Sequence, residues 1–404
     1  MRKIASQPEQ SAGEPCAREP REERGRITLK PGEPRPLFFT GKHRKRDRHS
    51  RHRVAFFHFR SYGPAFRYFV EQVLDADYVP TPTPTRATIE RGAEMSADYV
   101  CTPFKHIMGD YVAALDAGAD VLVQVTGFCR LNYYGELAEM ILRDAGYGDF
   151  RMLNFSDVAT GKVRDYVAYC KKVVNPDLSI AHGVKSLYGA YRMVEHIDAV
   201  RDRYLANAAF EVEPGSFDRV RRSFLSDMDA AQTNADIEAG FRRAMDAFDA
   251  LPLDKPEHPV RVGIVGEYYT AQDPTSNLDV ERKLLDLGVE VSNCMSISRF
   301  NLHYNAEASR AAIAEYSSYD MGPTSTFNIA WAKRYAEEGY DGIIHIKSAG
   351  CTPEIDVMPV LQRLSRDYRV PVLFLTFDTQ TSDAGLDTRL EAFYDMIAMR
   401  KVRS

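Results

Sequence analysis

Residues Val121 to Tyr134 read VLVQVTGFCRLNYY. An apolar run from Val121 to Val125 is cut by Thr126-Gly127, and Cys129 and Arg130 follow before a helical pattern opens. The segment predicts a strand, a loop and a helix, with a thiol in the loop. The design recurs at Gly342–Ile346, where Ser348-Ala-Gly350 breaks the run and Cys351-Thr-Pro-Glu354 begins the next helix. A looser copy leads from Asp98-Tyr-Val100 into Cys101-Thr-Pro-Phe-Lys105. Short, continuously apolar strands alternating with helices call for a parallel sheet covered on both faces. Ligands of such sheets bind outside the carboxyl ends of the strands, where all three cysteines fall. The loops of Cys101, Cys129 and Cys351 are therefore expected to face one another.

The rest of the chain fits around that motif. Its 404 residues suit two or three domains at a prior of roughly 150 residues each. Residues 1–52 read as a disordered basic tail, rich in Pro, Glu, Arg and Gly and without apolar periodicity. The run KHRKRDRHSRHR, Lys42 to Arg53, suits either a solvated segment or a patch for nucleic acid or anionic lipid. A net charge of −5 gives no overall basic field, so nucleic acid is not the expected partner. Residues 53–156 predict a first α/β domain carrying Cys101 and Cys129. From 157 to 251 apolar residues recur at three and four, as in Leu187, Tyr191 and Val194, which predicts a helical block. A proline-rich linker follows, and 260–404 predict a second α/β domain carrying Cys351. The fold class is α/β, with two doubly wound, Rossmann-like parallel sheets. No apolar stretch approaches the roughly 20 residues of a membrane helix, and no secretory h-region follows Arg2-Lys3, so the expected compartment is the cytoplasm.

Six cysteines in a chain this long do not make a disulfide scaffold. They read as small buried residues, catalytic thiols or metal ligands. A helix N-terminus lowers a thiol pKa, which suits thiolates that hold a metal or a cluster. Neither a C-x-x-C zinc pattern nor a ferredoxin run is present. Cys16, Cys170 and Cys294 read as structural. Lys105 and Arg130, close to ligand cysteines, are candidates for meeting cluster charge or a cofactor phosphate, or are plain surface cations. Tyr133 and Tyr134 suit helix packing or substrate contact. Glu354 suits a helix cap, and Asp378, Gln380 and Thr381 lie on the rim where a general base is expected. His58, His182 and His345 read as core or surface histidines.

Two blocks, CTPFKHIMGDYVAALDAGADVLVQVTGFCRLNYYGELAEMIL and AGCTPEIDVMPVLQRLSRDYRVPVLFLTFDTQTSDAGLDTRLEAFYDMI, resemble the activase-related iron–sulfur proteins of the 2-hydroxyacyl-CoA dehydratase superfamily, as does Gly263-Ile-Val-Gly-Glu-Tyr-Tyr269. The resemblance spans residues 54–404 and leaves out the basic tail. It implies a [4Fe-4S] or larger cubane-type cluster between two α/β domains, held by Cys101, Cys129 and Cys351. Three thiolates leave one iron open to a substrate oxygen, a water or a second cluster's sulfide. In the dehydratases a 2-hydroxyacyl-CoA accepts one electron from a separate ATP-hydrolysing activator and loses its hydroxyl. The expected function is single-electron chemistry on a small substrate, such as a CoA ester. The alternative is a non-catalytic electron carrier or accessory protein. Expected partners are an acyl-CoA or other small substrate, an ATP-dependent activator, and a like or unlike chain in a dimer. No Walker-type phosphate loop is present, so ATP hydrolysis is not assigned to this chain.

Overall fold

The computed structural model describes residues 51–125, 133–155, 163–381 and 383–403. Residues 1–50 of the expected tail, and Cys129 and Arg130, lie outside them. Arg51 and His52 at the tail's end pair with Asp75 and Asp120.

The first sheet has four parallel strands: β1 (Arg53–Phe56), β2 (Asp77–Tyr78), β3 (Val121–Gln124) and β4 (Arg151–Asn154), in the order β2-β1-β3-β4. Side chains alternate across it. Val54, Phe56, Val121, Val123 and Leu153 belong to one buried cluster, and Ala55, Leu122 and Met152 to another. Both faces are therefore covered, which is why Val54–Phe56 and Val121–Val123 are apolar at consecutive positions rather than at every second one. Helix α1 (Gly63–Tyr68), a π-helical turn (Phe69–Val73) and α5 (Val163–Val173) cover one face. On the other lie α3 (Thr102–Asp116) and α4 (Tyr134–Asp144).

Strand β1 ends at Phe56, although the run Val54–Phe59 is apolar except at His58. Beyond Phe56 the His58 N–H donates to the Asp110 carboxylate at 2.9 Å instead of to a neighbouring strand. That diversion turns Phe57 and Phe59 onto the rings of Tyr269 in the second half of the molecule.

Helix α2 (Arg86–Met95) crosses α3 where each has a glycine. A Cβ on Gly92 would meet the Lys105 carbonyl oxygen at 1.9 Å, and one on Gly109 the Thr88 oxygen at 2.2 Å. Only glycine lets the backbones come this close. Helix α3 is consequently buried on nearly every side, including His106 and Asp110.

Between the sheets run α6 (Ile180–Asn207), α7 (Ser216–Ala230) and α8 (Asn234–Asp249). Thr233 and Asp236 form a capping box that starts α8.

The second sheet repeats the plan with β5 (Arg261–Gly266), β6 (Glu290–Asn293), β7 (Gly342–Ser348) and β8 (Val372–Phe377), all parallel, in the order β6-β5-β7-β8. Its helices are α9 (Pro274–Asn277), α10 (Val280–Asp286), α11 (Ala306–Ala312), α12 (Pro323–Glu337), α13 (Thr352–Tyr368) and α14 (Asp383–Arg403). No described helix is long and apolar enough to cross a membrane.

Buried ions tie the two halves to α6. Glu281 on α10 pairs with Arg60, which follows β1, and with Arg201 on α6. Asn293 adds a hydrogen bond to the same carboxylate at 2.8 Å. Nearby, the Tyr62 hydroxyl donates to Asp198 on α6, whose other oxygen accepts from the Ser298 N–H at 2.8 Å. Burial opposes the Glu281 charge, but Arg201 and Arg60 outweigh it and hold the carboxyl down at about 2.

Candidate functional site

In each sheet the chain direction of the strand order reverses between the first strand and the third. Both reversal points open into one cavity of about 750 Å³. Residues following β1 (Phe57, Phe59), at the end of β3 (Gln124, Val125), after β5 (Glu267) and after β7 (Gly350, Cys351) all line it. The crevice beyond the carboxyl ends of parallel strands at such a switch point is where ligands of this architecture bind. Here two of them are fused.

Cys101 and Cys351 both line the cavity and are half-buried. They occupy equivalent positions. Each is the residue before a helix, α3 or α13, in extended backbone, and each is followed by Thr-Pro. Proline fits the first turn, whose N–H groups need no helical partner. Neither sulfur caps its helix. The Cys101 Sγ instead lies 2.8 Å from the Tyr134 hydroxyl.

The two loops are bonded directly. The Thr102 N–H donates to the Ser348 Oγ at 2.9 Å, and the Thr102 hydroxyl donates to the Phe377 carbonyl at 3.3 Å. Ser348 Oγ in turn donates to the Ala349 carbonyl at 3.0 Å. The start of α3 is thus pinned to the ends of β7 and β8.

Behind Cys351 the wall is acidic. Glu267 receives the Tyr269 and Thr270 N–H groups at 3.0 and 2.7 Å and the Thr270 hydroxyl at 2.6 Å. Glu354 is wholly buried, bonded to His345 Nε2 at 2.7 Å and to Asn328 Nδ2 at 2.9 Å. Burial, then Glu267, Glu354 and Cys101, push the Cys351 thiol far above its usual range. A thiol so placed is no free nucleophile, since the thiolate is the reactive form. A bound cation inverts this logic, because a metal draws the proton off a coordinating thiol.

Cys101 and Cys351 are the described thiols on this wall that could hold a thiolate-ligated group. Among the described residues no three His, Cys, Asp or Glu side chains cluster as metal ligands. The third expected ligand, Cys129, lies outside the described residues.

Other expected site residues are placed elsewhere. Lys105 donates to the Asp98 carbonyl at 3.0 Å and is not on the cavity wall. Asp378 and Thr381 bond to each other in a closed turn, with Gln380 donating to the same carboxylate. Glu354 does not cap α13 but bonds His345 and Asn328. Cys170 and Cys294 are buried, and burial pushes the Cys170 thiol up to about 11. Glu267 and Ser348 carry the site and stand one residue beyond β5 and at the last position of β7. The strand-end rule that singled out the cysteines points equally to them.

No protein-family model matches the chain, and no curated protein matches it at a significant level.

Proposed function

We propose that this protein is an iron–sulfur redox protein of the 2-hydroxyacyl-CoA dehydratase kind, with two doubly wound, Rossmann-like halves that hold a [4Fe-4S]-type cluster through Cys101, Cys351 and Cys129. The observation that carries this reading is the meeting of Cys101 and Cys351, 250 residues apart in the chain, on one cavity wall through matched Cys-Thr-Pro turns. Bound there, such a cluster supplies single electrons to an oxygen-bearing substrate group.

The chain's own residues do the rest. The Thr102–Ser348 bond fixes the relative position of the two thiol loops. The Tyr134 hydroxyl meets the Cys101 sulfur and can orient it. Glu267, on the same wall, offers a carboxyl for moving a proton at a substrate placed beside the thiols. A largely apolar cavity of about 750 Å³ beside the thiols has room for a small molecule, which favours a substrate-converting protein over a bare electron carrier. The electron is supplied by a separate ATP-hydrolysing activator.

The test is low-temperature EPR of anaerobically prepared protein after dithionite reduction. The proposal expects a signal of a reduced cubane cluster in the wild type and its loss in Cys101→Ala. A silent wild type with no iron absorbance would overturn it.

A further inference from the structure

Helix α6 is amphipathic in an unusual way. Leu187, Ala190, Tyr191 and Val194 recur at the spacing of one helix face, the face that normally packs a core. Here all four line the cavity. The first half of the molecule adds an aromatic group to the same lining. Phe56 stacks on Phe66 with ring centroids 4.3 Å apart and planes within 7°, and Phe69 stands edge-on to both Phe56 and Phe155 at 6.1 and 6.3 Å. Tyr268 and Phe300 add a pair at 5.3 Å from the second half. All six of these rings also border the cavity.

The charge pattern is as one-sided as the shape. Among the described wall residues there is no Lys, Arg or His, and the carboxylates are Glu267 and Asp356. A phosphate or carboxylate brought inside would meet no cation among the described wall residues and would face these acids, a desolvation cost without compensation from them. A volume of about 750 Å³ lies within the range that encloses drug-sized ligands, well above what a small hydroxy acid fills.

We propose that the cavity is the binding site for an aromatic, uncharged group, seated between the α6 stripe and the phenylalanine cluster, with any anionic part of the molecule left outside. This assigns a substrate class to the site and, as a statement about substrate, rests on the iron–sulfur reading above. An aromatic body is favoured over a plain aliphatic one because ring edges and faces on several sides match ring–ring contact geometry.

The experiment compares two fluorescent probes on the full chain. N-phenyl-1-naphthylamine is uncharged, and 8-anilinonaphthalene-1-sulfonate has the same ring system with a sulfonate. The uncharged probe is expected to bind saturably at one site, and the sulfonate at least about tenfold more weakly because its charge has no partner among the described wall residues. Ala190→Trp, which fills the cavity, is expected to abolish uptake. Leu187→Asp, at the half-exposed rim, is expected to weaken it about tenfold, and serves as the readout if the tryptophan variant fails to fold. Equal binding of both probes, or uptake that neither variant changes, overturns the proposal. Iron is measured on the same preparations. Iron without probe binding overturns the ligand class and leaves the iron–sulfur reading standing. Probe binding without iron supports the ligand class and removes that reading. Cys351→Ala, expected to lose iron and keep the probe, shows that iron and the apolar ligand depend on different residues.

Discussion

The backbone N–H of Thr102 donates to the hydroxyl of Ser348, 2.9 Å away and fully enclosed, across 246 residues of sequence. Each partner is adjacent, or nearly so, to a cysteine on the cavity wall: Thr102 follows Cys101, and Ser348 stands three before Cys351. One hydrogen bond thereby sets the register of one thiol loop against the other.

Ser348→Ala leaves a buried N–H without its acceptor. The expected cost is about 1–3 kcal/mol of unfolding free energy, the penalty of an unsatisfied buried polar group. Urea denaturation measures it. Ser348→Thr keeps the hydroxyl and is expected to recover part of the loss. If alanine costs nothing, the loops are not held together by this bond.

Glu281→Gln removes the carboxylate that joins Arg60 to Arg201 and leaves two buried guanidinium groups unpaired. Breaking a buried pair in this way costs about 3–5 kcal/mol. The wild-type carboxyl is held at about 2, below its ordinary value. Its contribution is therefore fully present above the usual carboxylate range and is lost as pH falls toward 2. Urea midpoints at pH 7 and pH 3 test this: the gap between wild type and variant should be wide at the first and narrow at the second.

Asp273 has the opposite sign. Burial raises its carboxyl to about 6, against the Ser276 N–H and Arg60, which favour the charge. The folded protein holds this proton more tightly than the unfolded chain does. Stability from the group is thus full below the ordinary Asp range and is lost as pH rises through 6. Asp273→Asn keeps an acceptor for Ser276 and removes the charge. It should raise stability by roughly 1–3 kcal/mol at pH 8 and change it little at pH 4. Equal melting shifts at both pH values would contradict this assignment.

Gly266→Ala tests the close passage of β5 beside β7. Gly266 has φ +151°, and an added Cβ would stand 1.9 Å from the Ile346 oxygen. The variant is expected to lose at least about 3 kcal/mol, since both the backbone angle and the clash oppose it. Thermal melting reads the loss.

Much of this fold is legible in the sequence because its central strands β3, β5 and β7 are buried on both faces. Runs such as Val121–Val125 and Gly342–Ile346 have no polar alternation to confuse them with exposed strands. The Cys-Thr-Pro turns are legible too, since proline after a half-helical residue marks a first turn. The cavity is not. Leu187, Tyr191 and Val194 form a periodic stripe that says a face is covered, but periodicity is silent about whether protein or ligand covers it. Phe56, Phe155 and Phe300 come to one cavity only through the tertiary fold. Glu354 illustrates the same limit. Three residues after Cys351 it reads as a cap, but the buried His345 on β7 and Asn328 on α12 offer stronger partners than the helix end.

The central claim is that Cys101 and Cys351, from two separate sheets, serve one cluster. Iron and acid-labile sulfide per chain, measured after anaerobic purification of wild type, Cys101→Ala and Cys351→Ala, test it most directly. About four irons are expected in the wild type, as for one cubane, and loss of most of the iron in each variant. A wild type without iron, or iron that survives both substitutions, would contradict it.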